Sequence, residues 1–236
     1  MKITSNASVT SPVHFSPQHM AALKYAFLGF PVLPIWPNSK RPMTINGHKS
    51  ATTNPDLISS WWRRTPNANV AIVTDGMLVI DVDMKNGKNG KSLLKDLESQ
   101  YGPLPLTRMQ FTPSGGIHYI YRTNGIIVPS LINCPGPGID IRAQDGYILA
   151  DPSVIDGRAY SMSNADIVDA PEWLINVIME FIAIDEEYTK SLAYHAYDST
   201  VTNLSLTNAD DVVCITGMGQ TLKVKYDPVT MKLVSV

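Results

Sequence analysis

Met77-Leu78-Val79-Ile80-Asp81-Val82-Asp83 is the stretch on which the reading of this chain turns. Four aliphatic residues, entered through Asp75-Gly76, run into a D-V-D triplet, and a short apolar run with such borders reads as a buried β-strand. Alternate side chains of a strand share a face, so Asp81 and Asp83 point the same way. Two carboxylates that close repel unless a cation lies between them. Hard carboxylate oxygens suit Mg²⁺ or Mn²⁺. The same spacing fits a strand that ends in solvent with two acids at its tip. Among metal enzymes, an aspartyl phosphatase would want Thr or Val two residues after the second acid, where Lys85 stands. A nucleotide-sugar transferase is compatible with the triplet alone.

Upstream, Ser16-Pro17 supplies a cap and a first-turn proline for a helix that Gly29 ends. Phe30-Pro31-Val32-Leu33-Pro34-Ile35 reads as an edge or irregular strand because of its prolines. Residues 36–53 read as loop, and Asn54-Pro55 opens a second helix through Trp61-Trp62-Arg63-Arg64. Residues 70–74 form a strand, with Asp75-Gly76, a hairpin-type pair, as the turn to the acid-bearing strand. Downstream, residues 91–101 space Leu93, Leu94 and Leu97 as a helix does, and Gly102-Pro103 stops it. Short strands follow over 109–111, 118–122, 139–142, 147–150 and 154–160. An apolar helix spans 171–184. A further helix over 186–197 and two or three strands after Asp211 complete a small appended element.

Three other motifs carry chemistry. Gly87-Lys88-Asn89-Gly90-Lys91-Ser92 approaches a phosphate loop, but Lys85 occupies the place of its first glycine, so it reads as a turn and helix cap. In Thr112-Pro113-Ser114-Gly115-Gly116-Ile117-His118, paired glycines allow a backbone cradle for phosphate, with His118 as a strand residue beside it. In Gly138-Ile139-Asp140-Ile141-Arg142, Asp140 and Arg142 share one face, as an exposed ion pair or as a third carboxylate of a metal site. Trp61-Trp62-Arg63-Arg64 offers rings and charge to a single strand, although one tryptophan is better suited to packing on the sheet.

Composition bounds the rest. The chain has 236 residues, 44% hydrophobic and 17% charged, enough for a proper core and too apolar for a disordered polyelectrolyte. Its two cysteines, Cys134 and Cys214, can build neither a disulfide framework nor a four-thiolate zinc site. The start is polar, without the apolar stretch of a signal peptide, and no run is long enough to span a bilayer. A soluble protein of the cytoplasm with no membrane partner is expected. The net charge of −2 hides an uneven distribution. Through residue 70 there are seven basic residues (Lys2, Lys24, Lys40, Arg41, Lys49, Arg63, Arg64) and one acid, Asp56, whereas residues 181–236 hold seven acids and four lysines. The basic segment is compatible with a face that binds nucleic acid.

Taken in order, these pieces resemble the bifunctional primase/polymerase (prim-pol) domains of the archaeo-eukaryotic primase superfamily, found in plasmid and phage replication proteins. The resemblance covers residues 15–173. It runs through Gly29-Phe30-Pro31-Val32-Leu33-Pro34, Ser39-Lys40-Arg41-Pro42, Gly47-His48-Lys49-Ser50-Ala51-Thr52-Thr53 and Trp61-Trp62. It continues through the acid strand, the Ser-Gly-Gly-Ile-His turn and the Asp140 strand. Gly146-Tyr147-Ile148-Leu149-Ala150 and Ser153-Val154-Ile155-Asp156-Gly157-Arg158-Ala159-Tyr160 close it. One departure is Asp151-Pro152-Ser153, where the family usually has two prolines before the serine; it reads as a loop variation of little consequence.

The resemblance implies an α+β fold, with an RRM-like catalytic sheet, antiparallel or mixed, flanked by helices and a smaller N-terminal α/β module. The expected organisation is an N-terminal extension over 1–14, a catalytic domain over 15–180 and the appended element over 181–236. It implies a DNA primase and DNA-directed DNA polymerase, a nucleotidyltransferase acting in replication of a phage, plasmid or other mobile element. Asp81, Asp83 and Asp140 would be the catalytic ligands of two divalent ions, Mg²⁺ or Mn²⁺. His118, Ser114, Gly115, Gly116, Arg142 and Lys40 would hold the nucleotide, and Arg41, Lys49, Arg63 and Arg64 would contact nucleic acid. Partners would be a single-stranded DNA template, dNTP or NTP, and a replicative helicase acting in trans or cut away. The alternatives are an inactive single-stranded nucleic-acid-binding module and a D-x-D nucleotide-sugar transferase.

Overall fold

The computed structural model describes residues 15–85, 87–197, 201–207, 212–217, 220–227 and 232–235. The N-terminal extension assigned to residues 1–14 lies outside the described residues. Two compact units emerge. The first reaches Asn133 and resumes over Pro137–Ala170; the second takes Cys134–Gly136 and the chain from Pro171 onward.

The first unit opens with α1 (Pro17–Phe27), β1 (Val32–Ile35) and α2 (Pro55–Arg64). Helix α1 starts where the Ser16 side chain accepts the His19 N–H at 3.2 Å, and α2 where Asn54 accepts the N–H groups of Asp56 and Leu57. Both have proline at the first position, where no amide proton is needed. Strands β2 (Asn69–Val73) and β3 (Met77–Val82) follow, then α3 (Gly90–Tyr101). After it come β4 (Arg108–Phe111), β5 (Ile117–Arg122), β6 (Ile139–Arg142) and β7 (Tyr147–Ala150).

These strands form two sheets. Antiparallel β1-β2-β7 makes the smaller, with β1 at its edge as its prolines require. The larger has the order β4-β5-β3-β6, all antiparallel. With α3 joining β3 to β4, this is the split β-α-β arrangement of an RRM-like sheet. Strand β10 (Ser161–Met162) extends it beyond β4, and β11 (Val168–Asp169) pairs in parallel with β5, so the sheet is mixed. Residues 154–160 form a two-residue-armed hairpin, β8 (Val154–Ile155) and β9 (Arg158–Ala159), in place of one strand.

Asp75-Gly76 does not close a hairpin. Strands β2 and β3 belong to different sheets, and the turn is a corner where the chain changes sheet. Its geometry is that of a tight turn, with the Met77 N–H on Thr74 O at 2.9 Å and Gly76 at φ +76°. The reason for the split is burial: β2 is covered on both faces, which a lone hairpin with β3 could not provide. The chain returns from β6 to β7 at the same corner. There Thr74 Oγ1 donates to Ala143 O at 2.6 Å, its N–H to Gly146 O at 3.1 Å, and the Asp145 N–H to Asp75 Oδ1 at 2.8 Å.

One face of β3 sends Met77 and Val79 into a core shared with Ile120, Ile72, Ile148 and the helix residues Tyr25, Ile58 and Trp62. Trp62 is 1% exposed, and its indole N–H is satisfied by Ala68 O at 3.0 Å. The same alternation then carries Asp81 and Asp83 out of that core at the strand's end. Asp83 is held there by backbone: its N–H donates to Gly138 O at 2.8 Å, and its carbonyl accepts the Gly90 N–H at 3.0 Å. Gly90 and Gly138 are glycines for this contact. A Cβ on Gly90 would lie 2.2 Å from Gly138 O, and one on Gly138, at φ +88°, would lie 2.8 Å from Gly90 N. The Gly90 of the near-phosphate loop is thus a packing residue, and the cap read in that loop is Asn89, whose side chain accepts the Ser92 N–H.

In the second unit, one helix, α4 (Glu172–Tyr197), stands where the sequence predicts two. It precedes an antiparallel meander, β12 (Val201–Thr207), β13 (Val212–Gly217), β14 (Gln220–Asp227) and β15 (Lys232–Ser235). Among the described residues no helix is long and apolar enough to cross a membrane. Gly138→Ala combines a strained φ with a backbone clash. It is expected to lower unfolding free energy by roughly 2 kcal/mol or more, read from the midpoint of a urea denaturation curve.

Candidate active site

Strand register assembles the site. Asp81 of β3 lies directly opposite His118 of β5 on one side and Asp140 of β6 on the other, and His118 lies opposite Gln110 of β4. Directly opposed residues of antiparallel strands share a face. Gln110, His118, Asp81 and Asp140 therefore form one row across the sheet. Asp83 and Arg142, two residues further along their own chains, belong to the same face.

Of this row, Asp81 and His118 line a cleft of about 300 Å³ between the two sheets, together with Arg142, Lys40, Tyr147 and Tyr160 among others; Asp83 and Asp140 are not among its lining residues. Each acid has its own cationic or hydrogen-bonding neighbour. His118 Nε2 lies 3.3 Å from Asp81 Oδ1, Lys85 Nζ 3.6 Å from Asp83 Oδ1, and Arg142 Nη2 2.7 Å from Asp140 Oδ2. Asp140 Oδ1 also accepts the Asn133 N–H at 2.9 Å. Burial pushes the Asp81 carboxyl up, but the His118 hydrogen bond and the charges of His118, Arg142 and Lys40 outweigh it and hold the group below its ordinary value. Tyr160 shows the opposite effect. Burial, and then the charges of Asp81 and Asp83, push its phenol up to about 12, so it stays a neutral donor beside the acids.

Gln110 is wholly buried and spans the two sheets. Its Oε1 accepts the Asp151 N–H at 3.0 Å, and its Nε2 donates to Leu149 O at 2.6 Å. Those two backbone partners orient the amide, so the remaining Nε2 proton is directed at His118 Nδ1, 3.0 Å away. His118 then accepts at Nδ1 and turns an Nε2–H toward Asp81. The departure at Asp151 has a consequence after all, since a proline there has no N–H to give Gln110.

The other sequence-predicted residues divide. Lys40 and Arg142 line the cleft with Asp81 and His118. Ser114 is exposed in the β4–β5 turn, its hydroxyl 3.1 Å from Thr112 Oγ1. The expected amide cradle is already used within that turn: the Gly115 N–H donates to Thr112 O and the Gly116 N–H to Thr112 Oγ1, each at 3.0 Å. Gly116 is a glycine because a Cβ would meet Val82 O at 2.7 Å. Arg41, Lys49, Arg63 and Arg64 are exposed and do not line the cleft. Gln110, Tyr147 and Tyr160 are site residues that sequence reasoning did not single out.

As a donor set for hard divalent cations, the three carboxylates fit: they end adjacent strands on one face and offer oxygen ligands. Among the described residues no three acids, histidines or cysteines are already drawn around one point. Lys85 and Arg142 pair with Asp83 and Asp140 instead, and His118 lies against Asp81.

Gln110→Leu strands the Leu149 carbonyl and the Asp151 N–H in a dry interior. Its expected cost is about 2–5 kcal/mol, seen as a lower denaturation midpoint at constant m. Asp81 supports the fold while ionised, because its folded carboxyl is depressed. That support is complete above the ordinary carboxylate range and is lost as pH falls through the folded value. Asp81→Asn should therefore flatten the acid limb of a stability–pH profile.

Residues 22–173 match the family model described as bifunctional DNA primase/polymerase, N-terminal. No curated protein matches the chain. The match covers more than half of the sequence, and the chain belongs to the prim-pol family.

Proposed function

We propose that this chain performs template-directed nucleotidyl transfer, making primers and extending DNA in the replication of a phage, plasmid or other mobile element. The observation that carries the proposal is the row His118–Asp81–Asp140, two of whose members, His118 and Asp81, line the cleft, within the segment that matches the family. Asp81 and Asp140 of that row, with Asp83 two residues beyond Asp81, would hold two divalent ions, Mg²⁺ or Mn²⁺. Those ions, when bound, supply activation of the attacking 3′-hydroxyl and neutralisation of the leaving pyrophosphate.

The protein's own part is positioning and charge. Arg142 and Lys85, which pair with Asp140 and Asp83 in this structure, are the cationic side chains beside the acids that would meet triphosphate oxygens. Lys40 faces the same space from the opposite sheet. His118, oriented by Gln110, offers its Nε2–H to phosphate or to Asp81. The Tyr160 phenol donates without adding charge. In priming, the 3′-hydroxyl belongs to a first nucleotide instead of a primer strand, and duplex unwinding falls to a helicase.

The direct test supplies an unprimed single-stranded template, labelled nucleotides of both sugars, and Mg²⁺ or Mn²⁺. New oligonucleotides are the expected product, and extension confined to pre-annealed primers would remove the priming half of the proposal. Asp83→Ala, whose side chain among the described residues pairs with half-exposed Lys85 at 3.6 Å, should keep its melting temperature while incorporation falls roughly a hundredfold or more. A folded variant with full activity would end the assignment. His118→Ala should act mainly on the KM for nucleotide, and an unchanged KM would count against its role.

A further inference from the structure

Trp36 is 48% exposed although every residue of the strand before it is buried. It begins a ribbon that prolongs β1, through Pro37-Asn38-Ser39 to Lys40 and Arg41. Ile35 bridges Pro42 in antiparallel fashion, and the Trp36 N–H donates to Arg41 O at 3.0 Å. Trp36 and Arg41 therefore stand opposite each other, and opposed residues share a face. The adjoining residue, Lys40, lines the cleft and adds its charge to the field at Asp81.

The ribbon is fixed at several points. The Asp156 N–H donates to Asn38 Oδ1 at 2.6 Å, the Arg41 N–H to Ser39 Oγ at 3.0 Å, and Tyr147 Oη to Lys40 O at 3.1 Å. Among the described residues, neither Lys40 nor Arg41 has a carboxylate within ion-pair distance. An indole held open to solvent and two uncompensated cations, on a rigid ribbon at the mouth of the cleft, match the needs of an unpaired nucleic-acid strand. Every base presents a π-face for stacking, and every phosphate a charge.

We propose that the Trp36–Arg41 ribbon is the platform for the single-stranded template, one unpaired base stacking on Trp36 and its phosphate meeting Arg41, just outside the cleft that Lys40 enters. This deepens the polymerase reading by naming where the template sits, and it rests on that reading. Of Trp61-Trp62-Arg63-Arg64, the sequence reading itself assigns one tryptophan to the core; Trp62 is that residue, and Trp61 packs against the same cluster.

The test is equilibrium binding of a labelled single-stranded oligothymidylate, and of a duplex of the same length, at several salt concentrations. Trp36→Ala should weaken single-strand binding about five-fold or more, leaving the salt slope unchanged, while Trp36→Phe, which keeps a ring there, restores most of it. Arg41→Ala should weaken binding and lower the log–log salt slope by about 0.7. The duplex, with no free base to stack, should respond little to either Trp36 change. Wild-type affinity in Trp36→Ala, equal losses on single strand and duplex, or no binding by the wild type would overturn the platform. A wild type that binds the oligonucleotide through Trp36 but incorporates no nucleotide would overturn the polymerase reading and leave the platform standing.

Discussion

A buried primary amide has to satisfy its oxygen and both its protons, and at Gln110 that requirement joins the two halves of the catalytic unit. Rooted in the larger sheet, the side chain finds two of its partners on the backbone of the smaller one, at Leu149 and Asp151. Its third partner is His118, which touches Asp81. The separation of the sheets, the protonated nitrogen of the histidine and the aim of that histidine at the first acid thus depend on one residue. Few alternative placements satisfy all three bonds, and an unsatisfied member costs on the order of 1–3 kcal/mol. Fold and site share this contact.

The second organising constraint is like charge. Three carboxylates lie at one end of two neighbouring strands without meeting at one point, and each has its own partner: Arg142, Lys85 and His118. The arrangement keeps the acids apart. It also sets two cationic side chains, Arg142 and Lys85, directly beside the acids. Neutral donors complete the wall: burial and the neighbouring acids hold Tyr160 protonated.

Local periodicity made part of this legible. The caps at Ser16, Asn54 and Asn89, and the shared face of Asp81 and Asp83, follow from short-range rules and recur in the structure. What those rules do not reach is register. That His118 and Asp140 flank Asp81 is a property of strands 37 and 59 residues away, and only the family resemblance pointed to it. The same limit explains Asp75-Gly76, whose composition suits a hairpin but whose flanking strands each find better cover in separate sheets. Glycine pairs mislead in another way. Gly115-Gly116 and Gly90 suggest phosphate, yet Gly90 and Gly116 lack a side chain because another strand's backbone passes there. Gln110 carries no spacing signal at all, and its role exists only once two sheets face each other.

The corner at which β2 becomes β3 and β6 returns to β7 has a thermodynamic side. The two crossings are hydrogen-bonded to one another through Thr74, Asp75, Asp145 and Gly146, and Gln110 ties the sheets a second time. With two independent ties, the walls of the cleft hold their spacing without an occupant. The conformational entropy of setting that width is lost during folding, so a molecule entering the slot need not supply it again. Binding there is accordingly that of a preorganised receptor, with its discrimination residing in shape and charge more than in closure.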